Sequence, residues 1–400
     1  MTGIYVHIPF CKSKCPYCNF FSLASRKYKL TFLQALSREV ELTSGYLEGQ
    51  PVTTVYFGGG TPSVYPPAAL QQILETIANT HKVIGWNSHG IIPGSSIAHD
   101  SMEDYRPPAI PAEITLEINP DDVTVAFVGE LKQTAFNRIS LGVQSFDMDD
   151  LGYLQRTHST DRSMQAVRLL QEAGYENISI DLIYGIPGSS AERWHRTLET
   201  AFALEVSHIS VYALTVEPGT ILSWMIERQR SAPTDEELLV SQYHLLTRMA
   251  VDHGFEQYEI SNFSRPGWHS KHNTGYWQGT HYLGLGPSAH SYNGIARRWN
   301  GTNLNEYLQG VTEGRLKFEE ETLTPEQKYN EYVMTSLRTM WGCDSNKINK
   351  DFGSPVYNFF RKQVALSMQQ ELVQETSGIY FLTERGKLFA DRIASDLFLV

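Results

Sequence analysis

The chain has 400 residues, of which 41% are hydrophobic, and its formal net charge at pH 7 is −11. This length exceeds one ordinary hydrophobic core and predicts a large domain of about 250 residues or more together with a smaller one. The negative charge argues against a nucleic-acid binder, which needs clustered Lys and Arg side chains. The first residues contain no basic n-region, and no run reaches about 18 apolar residues. We therefore expect a cytoplasmic protein without an integral membrane segment.

Three cysteines lie close together near the beginning of the chain. Cys11, Cys15 and Cys18 are separated by three and then by two residues, so that one loop can direct all three thiols at one centre. A 4Fe-4S cluster uses one thiolate per iron, and three cysteines would leave one iron open to another ligand. Four cysteines in 400 residues argue against a disulfide framework. A structural zinc site with His7 as the fourth ligand is the other alternative, although zinc usually binds paired C-x-x-C-like units.

Strand and helix patterns alternate along the first 250 residues. Runs rich in β-branched residues predict strands, and apolar residues at helical spacing predict the helices between them. The predicted strands are Ile4–Ile8, Val52–Phe57, Ile114–Ile118, Ile139–Val143, Ile178–Leu182 and His208–Leu214. Strands that alternate with helices require parallel pairing and right-handed crossovers, so we predict an α/β fold with a partial (β/α)6 barrel. In such barrels the loops that follow the strands form the active face.

The sequence divides into three parts. We predict that residues 1–265 form the barrel core, residues 266–324 a connecting segment, and residues 325–400 a small helical domain. A long segment near residues 84–112 has no clear period and is predicted to be a variable surface insertion rather than a substrate lid. The last part ends in an apolar stretch that looks like the hairpin of a winged-helix-like domain. Its nine basic and nine acidic side chains argue against DNA binding, and we expect its Cys343 to be a buried thiol.

The cysteine triplet resembles the signature of the radical S-adenosylmethionine (SAM) family. It follows a β-branched run and precedes an apolar helix, and Gly58-Gly59-Gly60-Thr61-Pro62 comes after the second strand, in the family's order. The resemblance implies a 4Fe-4S cluster on the three cysteines, with SAM bound at the open iron. It assigns the glycine motif, whose backbone can approach a ligand closely, to the methionyl end of SAM. It also implies reductive cleavage of SAM, and therefore an electron donor for the cluster.

The resemblance covers nearly the whole chain and extends to the oxygen-independent coproporphyrinogen III oxidase (HemN-like) group. It is carried by Tyr5–Cys11, the glycine motif, Gly142–Phe146, Arg156 and Asp181–Gly188. The resemblance implies a set of positions around a first SAM, namely Tyr5, Gly59, Gly60, Thr61 and Glu117. It implies a second set, around a second SAM in the decarboxylating enzymes, namely Gln144, Arg156 and Asp181. Tyr17 would lie beside the cluster.

Two features separate the branches of this group. The oxidases carry a fourth cysteine two residues after the third, where this chain has Phe20. The stretch His272-Asn-Thr-Gly-Tyr276-Trp277 is an H-N-x-x-Y-W motif that resembles the haem-binding signature of the HemW-type haem chaperones. His and Tyr both serve as axial ligands of haem iron, so His272 is the preferred candidate ligand and Tyr276 the second. We therefore expect a haem chaperone that delivers haem to an unidentified acceptor protein.

Two enzymatic hypotheses stay open beside the chaperone. Gln144, Arg156 and Asp181 are compatible with an oxidase that decarboxylates two propionate side chains of coproporphyrinogen III, and Phe20 weighs against it. A radical enzyme that acts on an unrelated substrate is the third hypothesis, for which the insertion near residues 84–112 is the only indication. We assign no catalytic side chain from the sequence.

Overall fold

The structure is a computed structural model that describes residues 2–25, 27–87, 90–91 and 112–400. Its first elements are β1 (Thr2–Ile8), α1 (Lys29–Leu42), β2 (Val52–Gly59), α2 (Pro67–Thr80), β3 (Trp86–Asn87), β4 (Gly90–Ile91), β5 (Glu113–Ile118), α3 (Val125–Leu131), β6 (Arg138–Gln144), α4 (Met148–Tyr153), α5 (Thr160–Glu172), β7 (Ile178–Tyr184), α6 (Ala191–Ala203) and β8 (His208–Ala213). Most of the segment near residues 84–112 lies outside the described residues, and its predicted role as an insertion stays a prediction.

The second half of the chain continues with shorter elements. They are α7 (Ile221–Glu227), α8 (Glu236–Asp252), β9 (Glu256–Glu259), β10 (Asn262–Ser264), α9 (Lys271–Trp277), β11 (His281–Leu285), β12 (His290–Tyr292), β13 (Ala296–Asn300), α10 (Leu304–Thr312) and β14 (Phe318–Thr322). The C-terminal elements are α11 (Pro325–Leu337), β15 (Cys343–Asp344), α12 (Ser345–Phe352), α13 (Ser354–Gln369), β16 (Val373–Thr376), β17 (Ile379–Leu382), α14 (Glu384–Lys387) and α15 (Ala390–Asp396).

One large sheet organises the described part of the chain. Its twelve strands lie in the order β14-β13-β12-β11-β1-β2-β5-β6-β7-β8-β10-β9. The strands from β1 to β8 in this order pair in parallel, as the alternation of strands and helices predicts. Their carboxyl ends therefore meet at one edge, where the cysteine loop follows β1 and the glycine motif ends β2.

The segment at residues 266–324 is more than a connection. It places β11 beside β1 in parallel and adds β12, β13 and β14 as antiparallel strands, so it extends the central sheet. Strands β12, β13 and β14 are short and largely polar, with few apolar residues to indicate them. All residues of the outermost strand β14 are exposed, and the strand includes Glu319, Glu320 and Glu321.

The central strands bury an apolar face and a polar face. Residues such as Val55, Leu116 and Leu141 pack outward against the apolar sides of the surrounding helices and form the main core. Successive residues of a strand point to opposite sides of the sheet. The alternate positions therefore face the barrel interior, and many of them are polar. They surround a cavity of about 530 Å³ that opens at the cysteine loop.

The C-terminal region has its own hydrophobic core. Helices α11, α12 and α13 pack around Tyr329, Val333 and Phe360 together with the sheet β15-β17-β16, which gives the winged-helix-like shape predicted. Cys343 is buried there, as expected. Backbone hydrogen bonds join this region to β9, for example from Met340 N to Tyr258 O at 2.9 Å. Among the described helices, none is both long and apolar enough to cross a membrane.

Candidate functional site

The three cysteines lie on the loop that follows β1, and all three are free thiols. Hydrogen-bond donors face the sulfur atoms of Cys11 and Cys15. Thr61 Oγ1 donates to Cys11 Sγ at 3.6 Å, and Arg156 Nη1 donates to Cys15 Sγ at 3.4 Å. Burial raises the pKa values of the Cys11 and Cys18 thiols above the usual range of a cysteine. Binding of metal would therefore release protons from the loop, and the neighbouring donors would stabilise the thiolates.

The loop fits a cluster better than a single zinc ion. His7, the fourth ligand that zinc would need, is engaged at both ring nitrogens, because Nε2 donates to Phe21 O at 2.9 Å and Nδ1 accepts from the Tyr5 hydroxyl at 3.1 Å. Within the residues described, no group of three or more Cys, His, Asp or Glu side chains is arranged around one ion. Bonds of about 2.3 Å to one zinc would hold the sulfurs within about 4 Å of one another. A 4Fe-4S cluster spreads them over separate irons.

The glycines at the end of β2 allow the backbone to pack directly against the cysteine loop. A Cβ at Gly60 would lie 2.7 Å from Phe10 O and 3.0 Å from Cys11 Sγ. Gly59 has a φ of 103°, and a Cβ there would lie 2.6 Å from the His7 ring. A side chain at Gly60 would push the loop away, and one at Gly59 would clash with His7 of β1. The motif therefore keeps β2 and the cysteine loop in contact.

Most of the residues predicted from the sequence line the cavity. They are Cys11, Cys15, Tyr17, Cys18, Gly59, Gly60, Thr61, Glu117, Gln144, Arg156 and Asp181. Gln144 has a φ of 70°, a left-handed conformation that is uncommon for a residue other than glycine and that often marks a functional site. Tyr5, predicted near SAM, does not line the cavity, because its hydroxyl is directed to His7 and its ring lies 6.4 Å from that of His272.

The acidic residues Glu117 and Asp181 lie on the cavity wall, and each accepts a hydrogen bond from a neighbouring hydroxyl. The Tyr56 hydroxyl donates to Glu117 Oε1 at 2.8 Å, and Ser140 Oγ donates to Asp181 Oδ1 at 3.2 Å. Burial is the main cause that raises the pKa of Glu117 to about 7 and the pKa of Asp181 to about 6. Both groups can therefore exchange a proton near neutral pH, which lets them accept or donate hydrogen bonds to a bound cofactor.

Several cavity residues are absent from the motifs recognised in the sequence. They are Tyr56, Arg138, Ser140, Ser210 and Tyr212. The strand residues among them occupy alternate positions of β2, β6 and β8, which the apolar neighbours mark as strands. Parallel strands are normally apolar on both faces because both faces are buried. Polar residues at every second position of such a strand could therefore have indicated the side that faces the cavity.

The H-N-x-x-Y-W motif lies at the other end of the barrel. His272, on α9, is 4% exposed and contacts the early part of β2, where its Nδ1 lies 2.8 Å from Thr54 Oγ1. Its Nε2 lies 2.9 Å from the Tyr276 hydroxyl. Thr54 and Gly59 are five residues apart on β2, which corresponds to about 16 Å along the strand. The motif and the cysteine loop therefore occupy opposite ends of the same strands.

The chemistry of the motif is compatible with a haem ligand. Burial is the main cause that lowers the pKa of His272 to about 3, so the ring is neutral, as a metal ligand must be. A hydrogen bond from Nδ1 to Thr54 would leave the lone pair of Nε2 free for iron once the Tyr276 hydroxyl moves aside. Trp277 Nε1 and Thr274 Oγ1 are buried without a hydrogen-bond partner in the described part of the chain. The motif thus holds polar atoms that its present contacts do not satisfy.

Comparison with known proteins identifies the class of protein to which the chain belongs. Residues 5–201 match the model of the Radical SAM superfamily, and residues 323–389 match the HemN C-terminal domain. The solved structure of coproporphyrinogen III oxidase (HemN) from Escherichia coli, a radical SAM enzyme, superposes with a TM-score of 0.81 at 21% identity, covering 99% of this chain and 90% of that one. The fold and the cysteine loop are those of a radical SAM protein, which confirms the predicted fold class.

The curated relatives define the branch. The protein named "Heme chaperone HemW" from Mycobacterium tuberculosis (strain H37Rv) is 31% identical over 402 residues, which cover 99% of this chain and 94% of the relative. Its namesake from Escherichia coli (strain K12) is 30% identical over 405 residues, covering 99% and 98%. The chain therefore belongs to the HemW family of radical SAM proteins, and the resemblance inferred from Phe20 and the H-N-x-x-Y-W motif is confirmed.

Proposed function

We propose that this chain is a cytoplasmic haem chaperone that binds a 4Fe-4S cluster, SAM and haem, and delivers haem to an acceptor protein. The names of its full-length relatives support the haem part. The cysteine loop and the cavity beside it support the cluster and SAM. No described contact identifies the acceptor protein, which the proposal specifies only as a protein that takes up haem.

Each cavity residue that the sequence predicts has a role in this proposal. Cys11, Cys15 and Cys18 would hold the cluster, which supplies one-electron reduction of SAM with an electron from an external donor. Gly59, Gly60 and Thr61 would meet the methionyl end of SAM through their backbone. Glu117 would accept a hydrogen bond from the cofactor. The rest of the cavity wall near the cysteine loop would include Gln144, Arg156, Asp181 and Tyr17.

The observation that carries the haem proposal is the environment of His272. Its imidazole is neutral, its Nδ1 lies beside the Thr54 hydroxyl, and its Nε2 lies beside the hydroxyl of Tyr276, a residue of the same motif. A neutral histidine whose second nitrogen is held by a polar group is the usual arrangement of a metal-ligating imidazole. The Tyr276 hydroxyl would leave Nε2 when iron binds.

Haem titration of the anaerobically reconstituted protein tests this proposal. The wild type should bind haem stoichiometrically with a Soret band of a histidine-ligated iron. His272→Ala should weaken binding at least about 10-fold, equivalent to about 1.4 kcal/mol. His290→Ala, which changes an exposed histidine, is the matched control and should bind as the wild type does. An unchanged Soret titration in His272→Ala would remove His272 from the proposal, and a wild type that does not bind haem would refute it.

Coproporphyrinogen III oxidation is the second candidate function. Gln144, Arg156 and Asp181 line the same cavity as the cysteines, as the resemblance to the oxidases implies. Against it, the position of the oxidases' fourth cysteine is Phe20, whose side chain is 63% exposed at the mouth. We expect the reconstituted protein with SAM and a reductant to form no protoporphyrinogen from coproporphyrinogen III under anaerobic conditions. Product formation at a catalytic rate would establish the oxidase instead.

A further inference from the structure

Helix α7 lies against the cysteine loop. Leu222 N donates to Pro16 O at 2.8 Å, and the buried Leu222 side chain belongs to an apolar cluster against which Tyr17 packs. Pro16 and Tyr17 are the two residues between Cys15 and Cys18. A molecule that binds the outer side of α7 would therefore lie close to the proposed 4Fe-4S cluster.

The outer side of α7 combines exposed apolar side chains with arginines. Ile221 and Trp224 are three positions apart, so they share one side of the helix, and they are 48% and 44% exposed. The guanidinium groups of Arg228 and Arg230 lie 5.9 and 4.9 Å from the Trp224 ring, which is the range of cation–π contacts. Trp and Arg are enriched among the residues that dominate protein–protein binding energies. This surface, which we call the α7 face, therefore has the composition of a docking site.

The α7 face carries positive charge on a chain whose formal net charge is −11. Arg228, Arg230 and Lys14 of the cysteine loop are exposed, and none forms an ion pair in the part of the chain that the structure describes. Glu227 is the acidic residue of α7, and the next one along the chain is Asp235, whose carboxylate caps α8. The unpaired cations favour a partner with negative charge, because complementary charges speed up the encounter of two proteins.

The position of the α7 face indicates which partner it fits. The proposed cluster needs an electron from an external donor, and the rate of electron transfer falls steeply with distance. The H-N-x-x-Y-W motif, where the proposed function places haem, lies at the opposite end of the barrel. Redox partners often bind through small, transient interfaces, which one short helix can supply. The α7 face therefore suits a donor of electrons better than an acceptor of haem.

We propose that the α7 face, formed by Ile221, Trp224, Arg228 and Arg230, is the docking site of an acidic protein that carries one electron to the cluster. The carrier is oxidised by one electron and the cluster is reduced by one, without any change in covalent bonds. The inference rests on the proposed function for the cluster and goes beyond it in assigning the surface through which the electron enters. The four residues bind the carrier, and no chemical step is assigned to them.

Reduction of the anaerobically reconstituted cluster tests the assignment. The probe is reduced flavodoxin, an acidic flavin protein, and reduced methyl viologen is the small reductant that needs no docking site. At low ionic strength, Arg228→Glu/Arg230→Glu should lower the second-order rate constant with flavodoxin at least about 10-fold. The difference from wild type should disappear at about 1 M salt, where charges are screened within about 3 Å. The rate with viologen should not fall.

Further variants separate charge, aromatic contact and net charge. Arg228→Lys/Arg230→Lys keeps both charges and should retain most of the rate with flavodoxin. Trp224→Ala should weaken the binding of oxidised flavodoxin at least about 10-fold, measured by isothermal titration calorimetry. Arg168→Glu/Lys362→Glu reverses two exposed cations of α5 and α13 and is the control for net charge. It should change the rate with flavodoxin less than about threefold, because distant charges are screened.

The outcomes distinguish this assignment from the proposed function. A wild type whose iron–sulfur absorption does not respond to reduced viologen would refute the cluster part of the proposed function and this assignment with it. Reduction by viologen but not by flavodoxin would overturn the assignment alone. Equal rates of wild type and Arg228→Glu/Arg230→Glu with flavodoxin at low ionic strength would do the same. If that variant instead lost haem affinity in the Soret titration and kept its rate with flavodoxin, the α7 face would belong to haem and the assignment would be wrong.

Discussion

At the scale of single residues, Glu117 links the cavity to pH. Its pKa is raised from the ordinary 4.5 to about 7, mainly by burial, so the folded protein binds more protons than the unfolded chain between these values. The contribution of Glu117 to the stability of the metal-free protein should therefore be fully present below this window and be lost as pH rises through it. Glu117→Gln keeps an acceptor for Tyr56 and removes the charge. We expect a flatter decline between pH 4.5 and 7, measured by urea denaturation at several pH values.

Asp181 limits how far the pH dependence of stability can flatten in Glu117→Gln. Its pKa is also raised, to about 6, so it contributes a decline of the same sign that persists in Glu117→Gln. Glu130→Gln, which changes an exposed glutamate of α3, is the control and should follow the wild-type curve. If Glu117→Gln also followed that curve, the carboxyl group would be solvated and its proposed contact with SAM would lose its electrostatic basis.

The residues of the site differ in how far the sequence predicts them. Cys11, Cys15 and Cys18 are recognisable because their spacing is local, and the glycine motif is recognisable because it follows a strand. Arg138 and Tyr56 are separated by 82 positions in the chain and meet only through the pairing of β2, β5 and β6. Which side of each strand faces the interior depends on that pairing, and a single strand does not reveal it.

At the scale of secondary-structure elements, α9 depends on the strands that hold it. His272 N donates to Glu113 Oε1 of β5 at 3.2 Å, and His272 Nδ1 contacts Thr54 of β2. Thr54→Val keeps the shape of the side chain and removes the hydroxyl. Because outer partners orient metal-ligating histidines, haem affinity should fall by about 10- to 100-fold. The measurement is the Soret titration used for His272→Ala.

A neighbouring threonine provides the control for this prediction. Thr53 Oγ1 donates to Thr2 O at 3.1 Å and points to the other side of β2. Thr53→Val should therefore leave haem affinity unchanged. If Thr54→Val bound haem as tightly as Thr53→Val, the contact with Nδ1 would be a packing contact without influence on the ligand.

The elements themselves show why part of the fold was predictable. The parallel strands are apolar over most of their length and alternate with helices, so their type and order follow from the sequence. Strands β12 and β14 are not indicated in this way, since β12 has three residues and every residue of β14 is exposed. Their conformation is imposed by β11 and β13, to which they pair, and tertiary context overrides local preference there.

At the scale of the whole molecule, the two hydrophobic cores should separate stability from binding. Phe360 of α13 is fully buried in the C-terminal core, whereas the cavity residues lie before residue 274. Phe360→Ala should cost about 3–5 kcal/mol of stability. Below its unfolding temperature, the variant should still bind SAM with wild-type affinity. Thermal denaturation followed by circular dichroism, together with SAM titration at 20 °C, measures both quantities.

Leu366 offers a matched change in the same helix. Its side chain is 60% exposed, so Leu366→Ala should change stability by less than about 0.5 kcal/mol. A loss of SAM affinity in folded Phe360→Ala that Leu366→Ala does not show would mean that the C-terminal core shapes the cavity. The boundary predicted at residue 325, where α11 begins, would then separate two parts that do not function independently.

The position of β14 has a consequence for how copies of this protein behave at high concentration. It is the last strand of a twelve-stranded sheet in the described part of the chain. The N–H and C=O groups along its outer side therefore do not pair with another strand of this sheet. An open strand of this kind can recruit the same strand of another molecule into a growing ribbon. The like charges of three successive glutamates make that encounter repulsive and so oppose fibril growth.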